Sequence, residues 1–364
     1  MNISKAASLT VIATVFFALA PAHGDDMPLF QVDPFWPNPM PGNQILGHVA
    51  NVAVDRHDHI WVIQRPSTLV DDEKGAMQKP PTTKCCTPAA PVLEFDQEGN
   101  LLRAWGGPGE GYEWPKSEHG IFIDKDDNVW IAGSDASDHQ VLKFTPDGKF
   151  LQQIGKAGST GGSNSPTQLG RPPQMVIDED ANELYVADGY LNRRIVVFDS
   201  KTGAYKRHWG AYGNKPNDDK QPPYSPLGPL SQQFSNPVHC VRIANEGLVY
   251  VCDRTNDRIQ VFRKDGTIVK EFRVEPETLQ NGSVWDLVLS NDPQQRFIFM
   301  ADGANNQIVT LLRDNGEVVA SWGRAGRMAG QFKYVHGIAI DSTGNLYTAE
   351  VGYGRRVQKF NRMN

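Results

Sequence analysis

The sequence predicts an all-β chain folded as a six-bladed β-propeller. Three observations carry this reading. Short alternating strands recur with turn residues between them, while helical periodicity is nearly absent. Related quartets of such strands begin near residues 50, 119, 173, 239, 285 and 336. The dipeptide Trp-Gly closes several of the units, at Trp105-Gly106, Trp209-Gly210 and Trp322-Gly323. Four-stranded units of this kind pack as blades around a central axis.

Taken in order, the chain opens with a stretch that reads as a secretory leader, residues 1–24. Lys5 gives it a weakly positive start, Leu9 to Ala20 form an apolar run, and small residues follow. The run is too short for an ordinary membrane span, and no later segment is apolar enough to be one. The expected location is therefore secreted or periplasmic. Residues 25–364 read as a single propeller domain without a linker. The third unit shows the pattern: Met175–Asp178, Glu183–Asp188, Arg194–Phe198 and Tyr205–Gly210. The last unit offers three strands, near 336–341, 346–350 and 356–361. Leu29–Val32, upstream of the first blade, is expected to supply the fourth and close the ring, which removes an exposed sheet edge.

Connections between first and second strands, and between third and fourth, are tight turns such as Lys125–Asn128 and Pro146–Gly148. The long connections, 66–90, 107–118, 156–171, 211–235 and 324–335, fall in the other two classes. Strand alternation places them on one face, the face where innermost strands begin. Variable working loops tend to gather in this way on a rigid scaffold.

The net charge is -6, from 36 basic and 42 acidic residues, and the basic residues form no stripe. Nucleic acid is excluded as a partner on that ground. Cys240 and Cys252 lie on two arms of a predicted hairpin and are expected to face each other as a disulfide, as an exported chain permits. Cys85 and Cys86 are adjacent; the sequence leaves open a vicinal bond, an intermolecular bond or reduced thiols. Oligomeric state is not legible.

The candidate site comes from three histidines. His119, His239 and His336 open the inner strands of the second, fourth and sixth units. In a closed ring they sit about one third of a turn apart and converge on the axis. The equivalent positions in the odd units are Ala50, Pro173 and Trp285, whose side chains cannot ligate. Three neutral imidazoles without carboxylate or thiolate favour zinc, with other divalent transition metals as alternatives. The other six histidines show no such pattern; His139 could sit near the site at a strand end, but a surface role is the favoured reading. Arg65, Tyr190 and Arg254 end second strands or follow them on the same face. An arginine fork suits a carboxylate, and a phenol beside cations and a metal can serve as a base.

Ala187–Phe198, His119–Asp124 and Asp253–Gln260 resemble signature segments of the peptidyl-α-hydroxyglycine α-amidating lyases, propellers of the NHL-repeat class. The resemblance runs in blade order over about residues 45–360. It implies zinc on His119, His239 and His336, a catalytic Tyr190, Arg65 stabilising developing charge and Arg254 holding a substrate carboxylate. The implied reaction splits a carbinolamide, a small or peptide-derived anion, into an amide and glyoxylate. Gly337 follows the third histidine where these lyases carry an Asp for a structural calcium, so that calcium is not expected here. The 66–90 insertion has no assigned counterpart. Rival readings are a non-catalytic NHL propeller that binds protein or glycan, a calcium-dependent lactonase-type propeller, for which the inner strands lack the acidic ligands, and a zinc hydrolase on the same scaffold.

Overall fold

The computed structural model describes residues 27–363; the expected leader lies outside the described residues. Six four-stranded antiparallel sheets follow one another along the chain. Their inner strands are His48–Val54, Glu118–Ile123, Gln174–Asp178, Val238–Ile243, Asp286–Leu289 and Val335–Ile340. These match the six sequence units, and we number the blades in that order. In blade 6 the outermost strand is Phe30–Asp33, paired antiparallel with Arg356–Arg362 from Phe30 against Arg362 to Asp33 against Lys359. The ends of the ring are thus stitched in one sheet, as the missing fourth strand predicts.

Each blade alternates side chains to two faces, and each face meets the neighbouring blade. The core accordingly divides into six apolar clusters, one per blade interface. Tyr250, Ile259 and Val261 of blade 4 pack on Leu287, Ile298 and Met300 of blade 5. Val62 and Leu93 of blade 1 pack on Tyr347 and Val357 of blade 6. The Trp-Gly ends serve the same contact. The Trp105 ring lies on Gly148 in the outer turn of the next blade, where a Cβ would come within 2.8 Å of it and φ is +82°. Trp209 covers Gly266 in the same way.

Two side-chain pairs recur with the blades. At the tight inner turns an Asp accepts from a ring six residues on: Asp55 from Trp61 Nε1, Asp124 from Trp130 Nε1 and Asp341 from the Tyr347 hydroxyl. At the opposite face a buried acid ending the second strand pairs with an arginine opening the third: Asp188 with Arg194, Asp253 with Arg258 and Glu350 with Arg356. Those arginines also hold loop carbonyls, so the long connections are tied to the sheets. Among the described residues no helix is long and apolar enough to cross a membrane.

Candidate metal centre and active site

The three histidines reach the axis because the strands that carry them are interrupted. The ladder steps from Val238 to Cys240 opposite Asp253 and Cys252, and from Val335 to Gly337 opposite Glu350 and Ala349. His239 and His336 are the extra residues of these bulges. A similar step between Glu118 and Ile121 frees His119. A bulge bends the strand and re-aims a side chain. His119, His239 and His336 are 1%, 2% and 4% exposed. Their ring centres lie 4.7 to 5.0 Å apart.

Each ring is oriented by the next blade. The Nδ1 of His119 donates to Pro173 O at 2.9 Å, that of His336 to Ala50 O at 2.6 Å, and that of His239 to Trp285 O. A carbonyl only accepts, so Nδ1 carries the hydrogen and each Nε2 keeps its lone pair. The three positions that cannot ligate through side chains are the ones that fix the tautomers through backbone. Ligand atoms of the three histidines lie within 4.8 Å of one another.

Burial holds all three imidazoles neutral. It pulls His336 down to about 3, with Arg65 adding to the effect. It also pulls His119 and His239 well below the usual range, reinforced by the other histidines for His119 and by Arg254 for His239. The Tyr190 hydroxyl lies 3.1 Å from Nε2 of His119 and 3.1 Å from Nε2 of His239. One phenolic proton cannot serve two lone pairs. Three inward, neutral, lone-pair nitrogens are a donor set that fits a divalent transition ion.

The other expected residues gather here too. Arg254 NH1 donates to the Tyr190 hydroxyl at 3.3 Å, and its Cζ lies 4.7 Å from the Trp285 ring. Arg254 Nε is buried without an acceptor. Arg65 donates from Nε to Glu118 O at 2.6 Å, beside the first histidine. Tyr190 and Arg254 each lie just past a buried acid, Asp188 or Asp253, whose arginine pair fixes the strand end.

Several residues here escape sequence reading. Arg171 Cζ lies 5.5 Å from the centre of the Tyr190 ring, and its carbonyl accepts the Tyr190 N–H at 3.1 Å. Its signal in the sequence is faint: a charge just ahead of the third inner strand. His139 corrects an expectation. It is 4% exposed rather than on the surface, and its Nδ1 accepts the Arg171 N–H at 3.2 Å. The site-face loop folds over this strand end and buries it. The 66–90 insertion lies on the seam between blades 6 and 1. Glu73 pairs with Arg355, and Thr68 Oγ1 accepts the His48 N–H beside Arg65. Cys240 is bonded to Cys252 as expected, and of the arrangements the sequence leaves open for Cys85 and Cys86 the structure has the vicinal bond. A second cluster, Asp55, His59 and Glu94, also brings ligand atoms together. Its carboxylates are taken up by backbone N–H groups, Trp61 and Arg103, so it belongs to the hairpin.

The chain is 28% identical over 291 residues to human NHL repeat-containing protein 3, across 75% of this chain and 73% of that protein. It is 26% identical over 349 residues to peptidyl-alpha-hydroxyglycine alpha-amidating lyase 1 of Drosophila melanogaster, across 89% of this chain and 59% of that one. The chain is a six-bladed propeller similar in sequence to an NHL repeat-containing protein and to an amidating lyase. It spans less than two thirds of the Drosophila lyase. Among solved structures, a streptogramin B lyase matches this propeller with a TM-score of 0.55 over 92% of this chain and 98% of that one. At 13% identity that likeness is one of fold alone. No protein-family model matches the chain.

Proposed function

We propose that the chain is a metal-dependent lyase that splits the C–N bond of an α-hydroxyglycine-type carbinolamide, giving an amide and glyoxylate. The observation that carries this reading is the Tyr190 hydroxyl, set 3.1 Å from two inward histidine nitrogens and 3.3 Å from Arg254. Distant relatives named as amidating lyases support it.

His119, His239 and His336 would hold the ion, with zinc the first choice for three neutral imidazoles. When bound, such an ion supplies Lewis acidity that makes a substrate hydroxyl easier to deprotonate. With its own proton given up beforehand, the Tyr190 oxygen acts as a phenolate and accepts that hydroxyl proton. The freed electron pair forms the carbonyl of glyoxylate as the C–N pair departs with nitrogen. Tyr190 then returns the proton to the nitrogen, so the products are a neutral amide and an aldehyde acid, and no co-reactant is consumed. Arg65 stabilises negative charge developing on the hydroxyl oxygen. Arg254 binds the carboxylate. Its buried, unsatisfied Nε supports the role, because a buried donor without an acceptor costs about 1–3 kcal/mol that an anionic ligand recovers.

We place the working protein outside the cytoplasm, secreted or periplasmic. The leader expected over residues 1–24 and the two disulfides support this.

Elemental analysis of wild type, His239→Ala and Tyr190→Phe, joined to a glyoxylate-release assay on α-hydroxyhippurate, tests the reading. Wild type and Tyr190→Phe should carry about one transition metal per chain, and His239→Ala far less. Tyr190→Phe should keep the metal yet lose roughly 100- to 10,000-fold in rate. Metal retained by His239→Ala overturns the ligand set. Metal present in a wild type that releases no glyoxylate removes the lyase and leaves the site.

A further inference from the structure

Three guanidinium groups meet around Tyr190. Arg254 reaches its hydroxyl from blade 4, and Arg65, from blade 1, interacts with it electrostatically. Arg171, on the connection from blade 2 to blade 3, lies over its ring. The molecule pairs its other deeply placed arginines with carboxylates: Arg194 with Asp188, Arg258 with Asp253, Arg242 with Asp286. Among the described residues, none of Arg65, Arg171 and Arg254 has such a partner. The chain as a whole is acidic, with 42 acidic against 36 basic residues, so an unbalanced trio is a local arrangement. Concentrated, unpaired positive charge in a cleft draws anions.

Arg171 is held more firmly than an ordinary rim arginine. Its Nε and NH2 both donate to Ser134 O, at 2.8 and 2.5 Å. Its backbone sits at φ +60°, a region L side chains use sparingly. Ser134 follows the second strand of blade 2 directly, as Arg254 follows that of blade 4. The two guanidinium groups therefore flank Tyr190, which belongs to blade 3, from opposite sides. Each Cζ is within 6 Å of the centre of the one phenol ring, at 5.5 and 5.7 Å, so one small molecule spans both.

In the proposed reaction Arg254 takes the carboxylate and Arg65 faces the hydroxyl oxygen, which leaves Arg171 unassigned. We propose that Arg171 reads a second negative charge, a carboxylate on the acyl side of the substrate, so that the preferred substrates are dianionic carbinolamides. This rests on the lyase reading for the placement of the first carboxylate. Arg171 is then a specificity residue: it adds affinity for one substrate class and leaves the C–N chemistry to Tyr190 and the histidines.

Titration calorimetry on the full chain at low salt, with hippurate and 4-carboxyhippurate as unreactive probes, tests this. Wild type should bind the dianion about tenfold more tightly. The preference should vanish in Arg171→Gln, which weakens the dianion more than hippurate, and survive in Arg171→Lys, which keeps the charge. Hippurate binding retained in the glutamine variant also shows that its Arg254 side is intact. Equal binding of the two probes by wild type overturns the proposal, as does a preference undiminished in Arg171→Gln. If Arg171→Gln does not fold, the wild-type comparison and Arg171→Lys still decide, because a lysine variant that folds and loses the preference also refutes the charge reading. Glyoxylate release from α-hydroxyhippurate separates the two ideas. A protein that prefers the dianion but releases no glyoxylate keeps the second anion site and loses the lyase.

Discussion

Replacing Arg194 by Met should cost more than any surface change of similar size. Arg194 and Asp188 are both fully buried, and Nε meets Oδ2 at 2.8 Å. Arg194 also donates to the carbonyls of Ser163, Ser165 and Gln168 at 3.0, 2.6 and 2.7 Å. Asp188 in turn accepts from Gly170 N at 2.6 Å and Asn192 Nδ2 at 2.7 Å. The pair therefore fixes the loop that precedes Arg171 and the strand end that presents Tyr190. Removing the cation leaves a buried carboxylate uncompensated, which costs about 3–5 kcal/mol. With a urea m-value of roughly 3 kcal/mol/M for a chain this large, the midpoint should fall by about 1–1.7 M at unchanged slope. The double change Arg194→Met with Asp188→Leu should recover part of the loss, roughly 1–3 kcal/mol, because an apolar pair carries no desolvation penalty. Urea unfolding followed by tryptophan fluorescence reads both values. A single variant within about 1 kcal/mol of wild type, or a double variant weaker than the single, would refute the argument that the pair acts as a buried ionic clamp.

Acid should weaken the chelator-stripped protein. The triad histidines have folded values below the unfolded one near 6.5, so the unfolded chain binds more protons below that pH. Their contribution is present in full above pH 6.5 and is lost as pH falls toward about 3 for His336, by up to about 1.4 kcal/mol per pH unit for each histidine. Asp257 opposes this with one proton, since burial pushes its carboxyl up to about 7. Unfolding curves at pH 7.5 and 5.5 should show the acid loss in wild type and less of it in His336→Gln; equal slopes would contradict it. Cys240→Ala with Cys252→Ala opens a cross-link between two fully buried residues 12 apart on a hairpin. It should cost roughly 3 kcal/mol while leaving the metal count unchanged, and a loss under about 1 kcal/mol in urea unfolding would contradict the role of the bond.

What the sequence reveals is what repeats. Period-two strands, Trp-Gly ends and Asp-bearing turns are local signals, so the six blades and the closing strand at 30–33 are readable in order. The histidines are readable for the same reason, because the ring turns equal spacing among units into convergence on an axis. What escapes is non-local or made by backbone. The bulges at His119, His239 and His336 leave no residue signature. The carbonyls of Ala50, Pro173 and Trp285 orient the triad, yet a carbonyl is the same at every position. Arg171 gains meaning only where Ser134 and Tyr190 fold against it. Glu73 and Arg355 meet across 282 positions, and no pattern announces such a pair. His139 reads as exposed because its burial comes from the loop above it.

The layer of the axis below the triad shows why the site is confined to three nitrogens. The residue after each orienting carbonyl in the odd blades is Asn51, Gln174 or Asp286. Gln174 Nε2 donates to Asp286 Oδ1 at 3.1 Å, and its Oε1 accepts Val241 N at 2.9 Å. Asp286 also takes both oxygens to Arg242 NH2, at 2.9 and 3.1 Å, and accepts Ile338 N at 3.2 Å. Val241 and Ile338 each lie two residues past a triad histidine. One network thus links blades 3, 4, 5 and 6 directly beneath the imidazoles, and its acid already has its cation in Arg242. At Gly337, next to His336, a Cβ would come within 2.5 Å of Asn51 Oδ1 and 3.0 Å of Asn51 Cα. An acidic side chain there would have to displace Asn51 before it could hold a second ion. The even blades supply the nitrogens and small residues below them, while the odd blades supply the carbonyls and polar filling. That division holds three lone pairs at one point on the axis without asking the same strand to both present and brace a ligand.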